Sequence, residues 1–188
     1  MKDKKVYDIY GKDRGKERWD GDITDYFFWD GPERYELIDG EPALLAAPSP
    51  THQKIQLTVS SPIWNYLEGK KKCKAFPTPL DVHIFEQEGD SPENVNTVVQ
   101  PDITLVCDLS GLDDHESRGT PDIILEILSP STRRYDRLTK LELYQRAGVE
   151  KYWIVNLEEQ TAVPTLSNRY TKSRYGRLRI SSFFAEIP

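Results

Sequence analysis

Apolar and polar positions change period several times along this chain, and each change marks a predicted element. Residues 1–34 are charged and aromatic with weak periodicity, so they read as a loosely packed arm with a short helix near Asp22–Trp29. The stretch RYELIDGEPALLAA places two strand-like runs around Asp39-Gly40, a favoured two-residue turn, and predicts a hairpin. Ile55, Val59, Ile63 and Leu67 then recur every four residues. That spacing predicts a helix, which Ser49 or Thr51 can cap and Pro62 should kink. Three strands follow at 79–85 (PLDVHIF), 98–107 (VVQPDITLVC) and 121–129 (PDIILEILS), separated by polar loops at 86–97 and 108–120. A helix capped by Ser131 or Thr132 runs to Ala147 and ends at Gly148, and KYWIVNL (151–157) is a fourth strand.

From residue 50 the order is therefore helix, three strands, helix, strand. The strand–helix–strand step over 121–157 predicts a right-handed parallel crossover, and the earlier strands can pair as a meander. The expected fold class is α/β with a mixed sheet and an extra N-terminal hairpin. The expected organisation is an arm over 1–34 and a single domain over 35–188. The two polar loops carry Gly89, Pro92, Gly111 and Gly119 and exceed what strand joins need, so they should be mobile and flank the mouth of a site.

Composition narrows the function classes. The 188 residues are 37% hydrophobic and 30% charged, with a net charge of -6. That total argues against a generic polyanion binder, which usually carries a basic field, but leaves room for a local basic groove. Cys73 and Cys107 lie far apart without a CxxC pair, so neither a disulfide framework nor a zinc signature is expected. The N-terminus shows no apolar leader and no stretch approaches a membrane span, so the expected location is the cytoplasm.

The most hydrophobic strand carries an acid, Glu126, flanked by Ile123, Ile124, Leu125, Ile127 and Leu128. Side chains alternate across a strand, so Asp122 and Glu126 share a face but lie about 13 Å apart. One ion with ligands at about 2–2.6 Å cannot take both. Asp102, on the neighbouring strand, is the better partner for Glu126. On the following helix, Lys140 lies in one apolar stripe with Leu143, Tyr144 and Ala147 and so faces the sheet. An inward lysine needs an anion. Either these charges answer one another as a structural ion pair, or they answer a metal. Asp81 interrupts the first strand as Asp102 does the second. Three acids on adjacent strands would repel one another severely, and a divalent ion resolves the repulsion most simply.

At these residues the chain resembles a large bacterial family of restriction-endonuclease-like proteins, itself similar to the PD-(D/E)XK nuclease superfamily. The resemblance rests on YELIDGE (35–41), SPTHQ (49–53), PLDV (79–82), VQPDITLV (99–106) and above all PDIILEILSPSTRRYDRLTKLELYQRAGVEKYWIV (121–155). It implies Asp102 as the acid of the PD motif and Glu126 as the acid of the (D/E)XK motif. The motif lysine is replaced by Leu128, and Lys140 on the next helix matches the displaced one. Asp81 matches a recurrent acid of the family's first core strand. The first turn of the first helix, where the superfamily often has an acid, carries His52, which could position water or a phosphate or could be a capping or surface histidine.

The function this implies is metal-dependent hydrolysis of phosphodiester bonds in nucleic acid, with DNA the expected substrate. Asp102 and Glu126 would hold Mg²⁺ or Mn²⁺, with Asp81 a further ligand or an acid just behind the ligands, and Lys140 would orient the water or stabilise developing charge. Asp136 reads as a helix-surface residue or an outer partner of the site. Basic runs at 69–74, 131–137 and 168–179 could contact phosphates, and a homodimer would set two sites against two strands. The alternative is a catalytically inactive module of the same fold that binds nucleic acid or a protein partner; a metal-free carboxylate hydrolase is a third reading.

Overall fold

In the computed structural model, residues 22–27, 34–69, 72–87, 89–156 and 161–167 are described, the last segment for its backbone alone. In chain order the elements open with α1 (Ile23–Phe27), β1 (Arg34–Ile38), β2 (Glu41–Leu45) and α2 (Pro50–Glu68). Next come β3 (Lys74–Pro77), β4 (Asp81–His83), β5 (Val98–Val99), β6 (Ile103–Val106), β7 (Glu116–Arg118) and β8 (Ile123–Ile127). Last are α3 (Arg133–Tyr135), a π-helical turn (Asp136–Lys140), α4 (Leu141–Ala147), β9 (Lys151–Asn156) and β10 (Thr161–Ser167). They form two compact units. One comprises Met1–Ala47, Asp81–Gln100 and Gly111–Gly119; the other comprises Pro48–Leu80, Pro101–Ser110 and Thr120–Pro188.

The first unit holds the sheet β2-β1-β5-β4-β7. Its hairpin is the predicted one. Asp39 and Gly40 take φ of 51° and 79°, the left-handed pair that a two-residue hairpin turn requires. Ile23, Leu37, Val95 and Val98 form its small core. The expected loop over 108–120 contains β7, paired parallel with β4. Such a short polar strand leaves no apolar alternation to read. It is supported instead by polar contacts: Asp113 Oδ1 accepts from the backbone N–H of His115 and Glu116, and Arg118 pairs with Asp113 and Glu116. The 86–97 loop likewise holds a 3-10 turn, Pro92–Asn94.

The second unit holds the sheet β10-β9-β8-β6-β3. β8 and β9 are parallel, as the crossover requires, and β6 runs antiparallel to β8. Helix α2 begins where Ser49 Oγ accepts from His52 N at 3.2 Å, and it continues as one 19-residue element through Pro62. Its Val59, Ile63 and Leu67 pack on Ile123, Leu125 and Ile127 of β8. Alternation sends Ile124 and Glu126 to the opposite face of that strand.

Three expectations are corrected here. The predicted strand 98–107 is two strands in two sheets, because Pro101 cannot donate to a ladder and the chain changes sheet there. The predicted strand 79–85 shortens to Asp81–His83 and joins the first sheet, while β6 pairs with β3, whose lysine and proline masked it. Lastly, Cys73 and Cys107 form a disulfide. The β3–β6 register sets Lys74 opposite Val106, which brings the two cysteines face to face across 34 residues of sequence.

Gly111 tests the first unit. A Cβ there would collide with the backbone carbonyl oxygen of Arg118. Gly111→Ala is expected to displace β7 and cost about 1–3 kcal/mol. Urea unfolding, with amide exchange read at Glu116–Arg118, measures both effects; unchanged protection and midpoint would contradict the packing described.

Candidate active site

The site grows out of the β6–β8 ladder in the second unit. Ile103 lies opposite Leu125, so the register carries Asp102 to a position opposite Glu126. Asp102 N donates to Glu126 Oε2 at 3.3 Å. Its carboxylate Oδ2 accepts from Ile127 N at 2.7 Å and meets His52 Nε2 at 3.1 Å. Its carbonyl accepts from Gln56 Nε2 at 2.8 Å and from Thr78 N at 3.1 Å. Asp102 is thereby fixed from the strand, from α2 and from the approach to β4. The other Pro-Asp acid has a different duty: Asp122 Oδ2 accepts from Cys107 N at 2.7 Å and closes the far end of the same ladder.

Glu126 is 4% exposed and Lys140 3%. Lys140 Nζ donates to Glu126 Oε1 at 2.7 Å, and Tyr144 OH donates to the same oxygen at 2.9 Å. The stripe that turned Lys140 inward is real, but the helix is not uniform. Over Asp136–Lys140 it widens into a π turn, a device that recurs at functional sites. Asp136, expected on the helix surface or as an outer partner, is buried within that turn, and its carbonyl accepts from Tyr152 OH at 2.9 Å. Burial, reinforced by the charge of Glu126, pushes the Tyr152 phenol well above its ordinary range, so it stays a neutral donor.

His52 is held by its hydrogen bond to Asp102, which raises the imidazole pKa above its ordinary value. Burial opposes that shift, while the Asp102 charge, the Ile127 backbone and Asp136 add to it. Nδ1 of the ring is buried with no hydrogen-bond partner.

Asp102, Glu126, Lys140 and His52 thus form one connected group. Asp81 has other partners: its Oδ1 accepts from Tyr26 OH at 2.9 Å and from Gln100 Nε2 at 2.7 Å, within the first unit. Among the described residues no three His, Cys, Asp or Glu groups are arranged to hold one ion. The expectation of three adjacent acid-bearing strands is corrected: β4 pairs with β5 and β7, not with β6. Two carboxylates still suit a hard cation of the Mg²⁺ kind, which takes one or two protein carboxylates and keeps several waters. Sequence reasoning missed Tyr144 and Gln56 as parts of the site. Tyr144 was visible only as a member of the Lys140 stripe, four residues on.

This fold, with its acids on neighbouring strands and its lysine on the returning helix, is of the restriction-endonuclease-like class. It superposes on the crystal structure of a "putative nuclease" from Anabaena variabilis with a TM-score of 0.62, covering 87% of this chain and 97% of that one at 19% identity. Residues 23–185 match the Uma2 family, described as "Putative restriction endonuclease", and the chain belongs to that family. An uncharacterized protein of Synechocystis sp., slr1290, is 28% identical over 122 residues, which span 64% of this chain and 60% of that relative.

The buried pair makes an asymmetric prediction. Lys140→Met alone leaves Glu126 uncompensated and should cost about 3–5 kcal/mol. Adding Glu126→Gln should recover most of that loss in urea unfolding. Equal stability of the single and double variants would show that the pair is not coupled.

His52 makes a pH prediction for the metal-free protein. Its folded-state pKa is raised, so its contact with Asp102 stabilises fully below the unfolded value of about 6.5 and fades as pH rises through the folded value. The stability gap between wild type and His52→Gln should therefore be larger at acid pH than at alkaline pH. An NMR titration of the ring should give a midpoint above 6.5; a midpoint at or below it would contradict the contact.

Proposed function

We propose that this protein is a metal-dependent nuclease that hydrolyses phosphodiester bonds of nucleic acid, DNA being the expected substrate and Mg²⁺ or Mn²⁺ the ion. The observation that supports this most is the juxtaposition of Asp102 and Glu126 across one ladder, with the Lys140 ammonium on Glu126. Asp102 and Glu126 are the ligands in this reading. When bound, the ion lowers the pKa of a coordinated water and neutralises charge on the scissile phosphate. Lys140 balances the charge of Glu126 and favours negative charge developing nearby. His52 steadies the Asp102 carboxylate through Nε2. With Nδ1 buried, the ring is better placed for that than for reaching a phosphate.

Exposed Arg134 and Arg137, on the helical segment that carries Lys140, suit contacts to a phosphate backbone. The basic run at 168–179 lies outside the described residues. A homodimer belongs to the same reading, as the way two sites would meet two strands. One observation favours the rival reading, an inactive binding module: the Glu126–Lys140 pair is buried enough to serve structure alone.

Cleavage of plasmid and single-stranded DNA in Mg²⁺ or Mn²⁺, with and without EDTA, separates the two. Cleavage that EDTA stops and added metal restores is expected. Asp102→Asn should reduce it by orders of magnitude. Activity undiminished by EDTA or by Asp102→Asn would sink the metal mechanism, and DNA binding without cleavage under every metal condition would favour the module.

A further inference from the structure

Tyr144 has no part in the mechanism so far, yet its hydroxyl is one of two donors on the same carboxylate oxygen. One ammonium already balances the charge of Glu126. Charge balance therefore does not explain a second donor, but geometry does. A single donor lets a carboxylate turn about its last bond over the range a hydrogen bond tolerates. Two donors on Oε1, Lys140 Nζ at 2.7 Å and Tyr144 OH at 2.9 Å, hold that oxygen more narrowly than one and so restrict the plane of the group. With Oε1 held from the helix side, Oε2 turns to the Asp102 side, where Asp102 N donates at 3.3 Å.

The phenol is itself held. Tyr144 is 0% exposed, and its ring meets Tyr152 edge to face at 4.9 Å and 69°. Tyr152 in turn donates its hydroxyl to the Asp136 carbonyl inside the π turn. Lys140 and Tyr144 are four residues apart, at the end of that turn and in the first turn of α4, so one short segment supplies both donors.

We infer that Tyr144 is a positioning residue for the metal-binding acid: its hydroxyl sets the orientation of the Glu126 carboxylate and, through it, the affinity of the site for a divalent cation. This rests on the metal-dependent reading above. Outer partners of ligating groups typically change metal affinity by about 10- to 100-fold when removed. A purely structural hydroxyl would change stability without changing affinity.

The test uses the full chain and Mn²⁺ alone. Calorimetry of wild type, Tyr144→Phe and Tyr152→Phe gives the Mn²⁺ affinity of each, and thermal unfolding in EDTA gives the apo stability. Both variants keep their rings and lose one buried hydroxyl. Tyr144→Phe is expected to weaken Mn²⁺ binding by about 10-fold or more, and, where cleavage is measurable, to lower kcat with KM for DNA little changed. Tyr152→Phe should lower the melting temperature to a similar degree yet bind Mn²⁺ within about 2-fold of wild type. A Tyr144→Phe protein that binds Mn²⁺ as wild type does, or that no longer folds, overturns the inference and leaves the metal reading standing. Equal weakening in both variants overturns it too, since a general loosening would then suffice. Wild type that takes up no Mn²⁺ overturns the metal reading and this inference together.

Discussion

The second unit is organised around one buried charge pair, Glu126 with Lys140. Moving either charge out of water costs several kcal/mol, and the attraction between them offsets that cost only when the geometry is close and the other polar atoms are satisfied. The structure meets both conditions. The acid lies on β8, flanked by β6 and β9, and the lysine comes from the helix that returns over that strand. The register of the ladder, the widened helical turn and the two tyrosines behind it all bear on keeping that acid and that ammonium together. A one-residue slip of β8 would turn Glu126 into the apolar layer under α2 and strand it without a partner.

That constraint is also why much of the site could be read from sequence. A carboxylate in an apolar run and a lysine in an apolar stripe are each improbable alone, and the simplest way to satisfy both is to join them. Asp102 followed from strand spacing, which ruled out Asp122 on distance and left the neighbouring strand. The hairpin at Asp39-Gly40 and the helix from Ser49 were legible because turn and cap chemistry is local. The parallel β8–β9 pair followed from the crossover between them.

What escaped sequence reading is non-local. No pattern near Cys73 or Cys107 announces that β3 will run beside β6, so the disulfide follows from strand pairing and not from spacing. Lys74–Pro77 and Glu116–Arg118 become strands because neighbouring edges accept them, while their composition speaks against it. The strand that carries Asp81 was misplaced for the same reason: it pairs within the other sheet, where the Asp81 carboxylate accepts from Tyr26 and Gln100. The π turn is invisible to a fixed 100° rotation, which placed Lys140 correctly but gave no reason to bury Asp136.

The two acids are held in a way that bears on the metal-dependent reading proposed above. Asp102 commits Oδ2 to the Ile127 amide and to His52, and Glu126 commits Oε1 to Lys140 and Tyr144. Protein donors thus hold Asp102 through Oδ2 and Glu126 through Oε1, with Glu126 Oε2 also accepting from Asp102 N, and so restrict how each carboxylate can turn. In the metal-dependent reading proposed above, acids held in this way would bind a cation without the cost of ordering a mobile side chain. The same arrangement ties function to folding at Asp102. Its carboxylate satisfies the amide of Ile127 at the end of β8, and removing it would leave that donor unpaired as well as removing the proposed ligand. A substitution that keeps an acceptor, such as Asn, therefore separates the two duties where Ala would confound them.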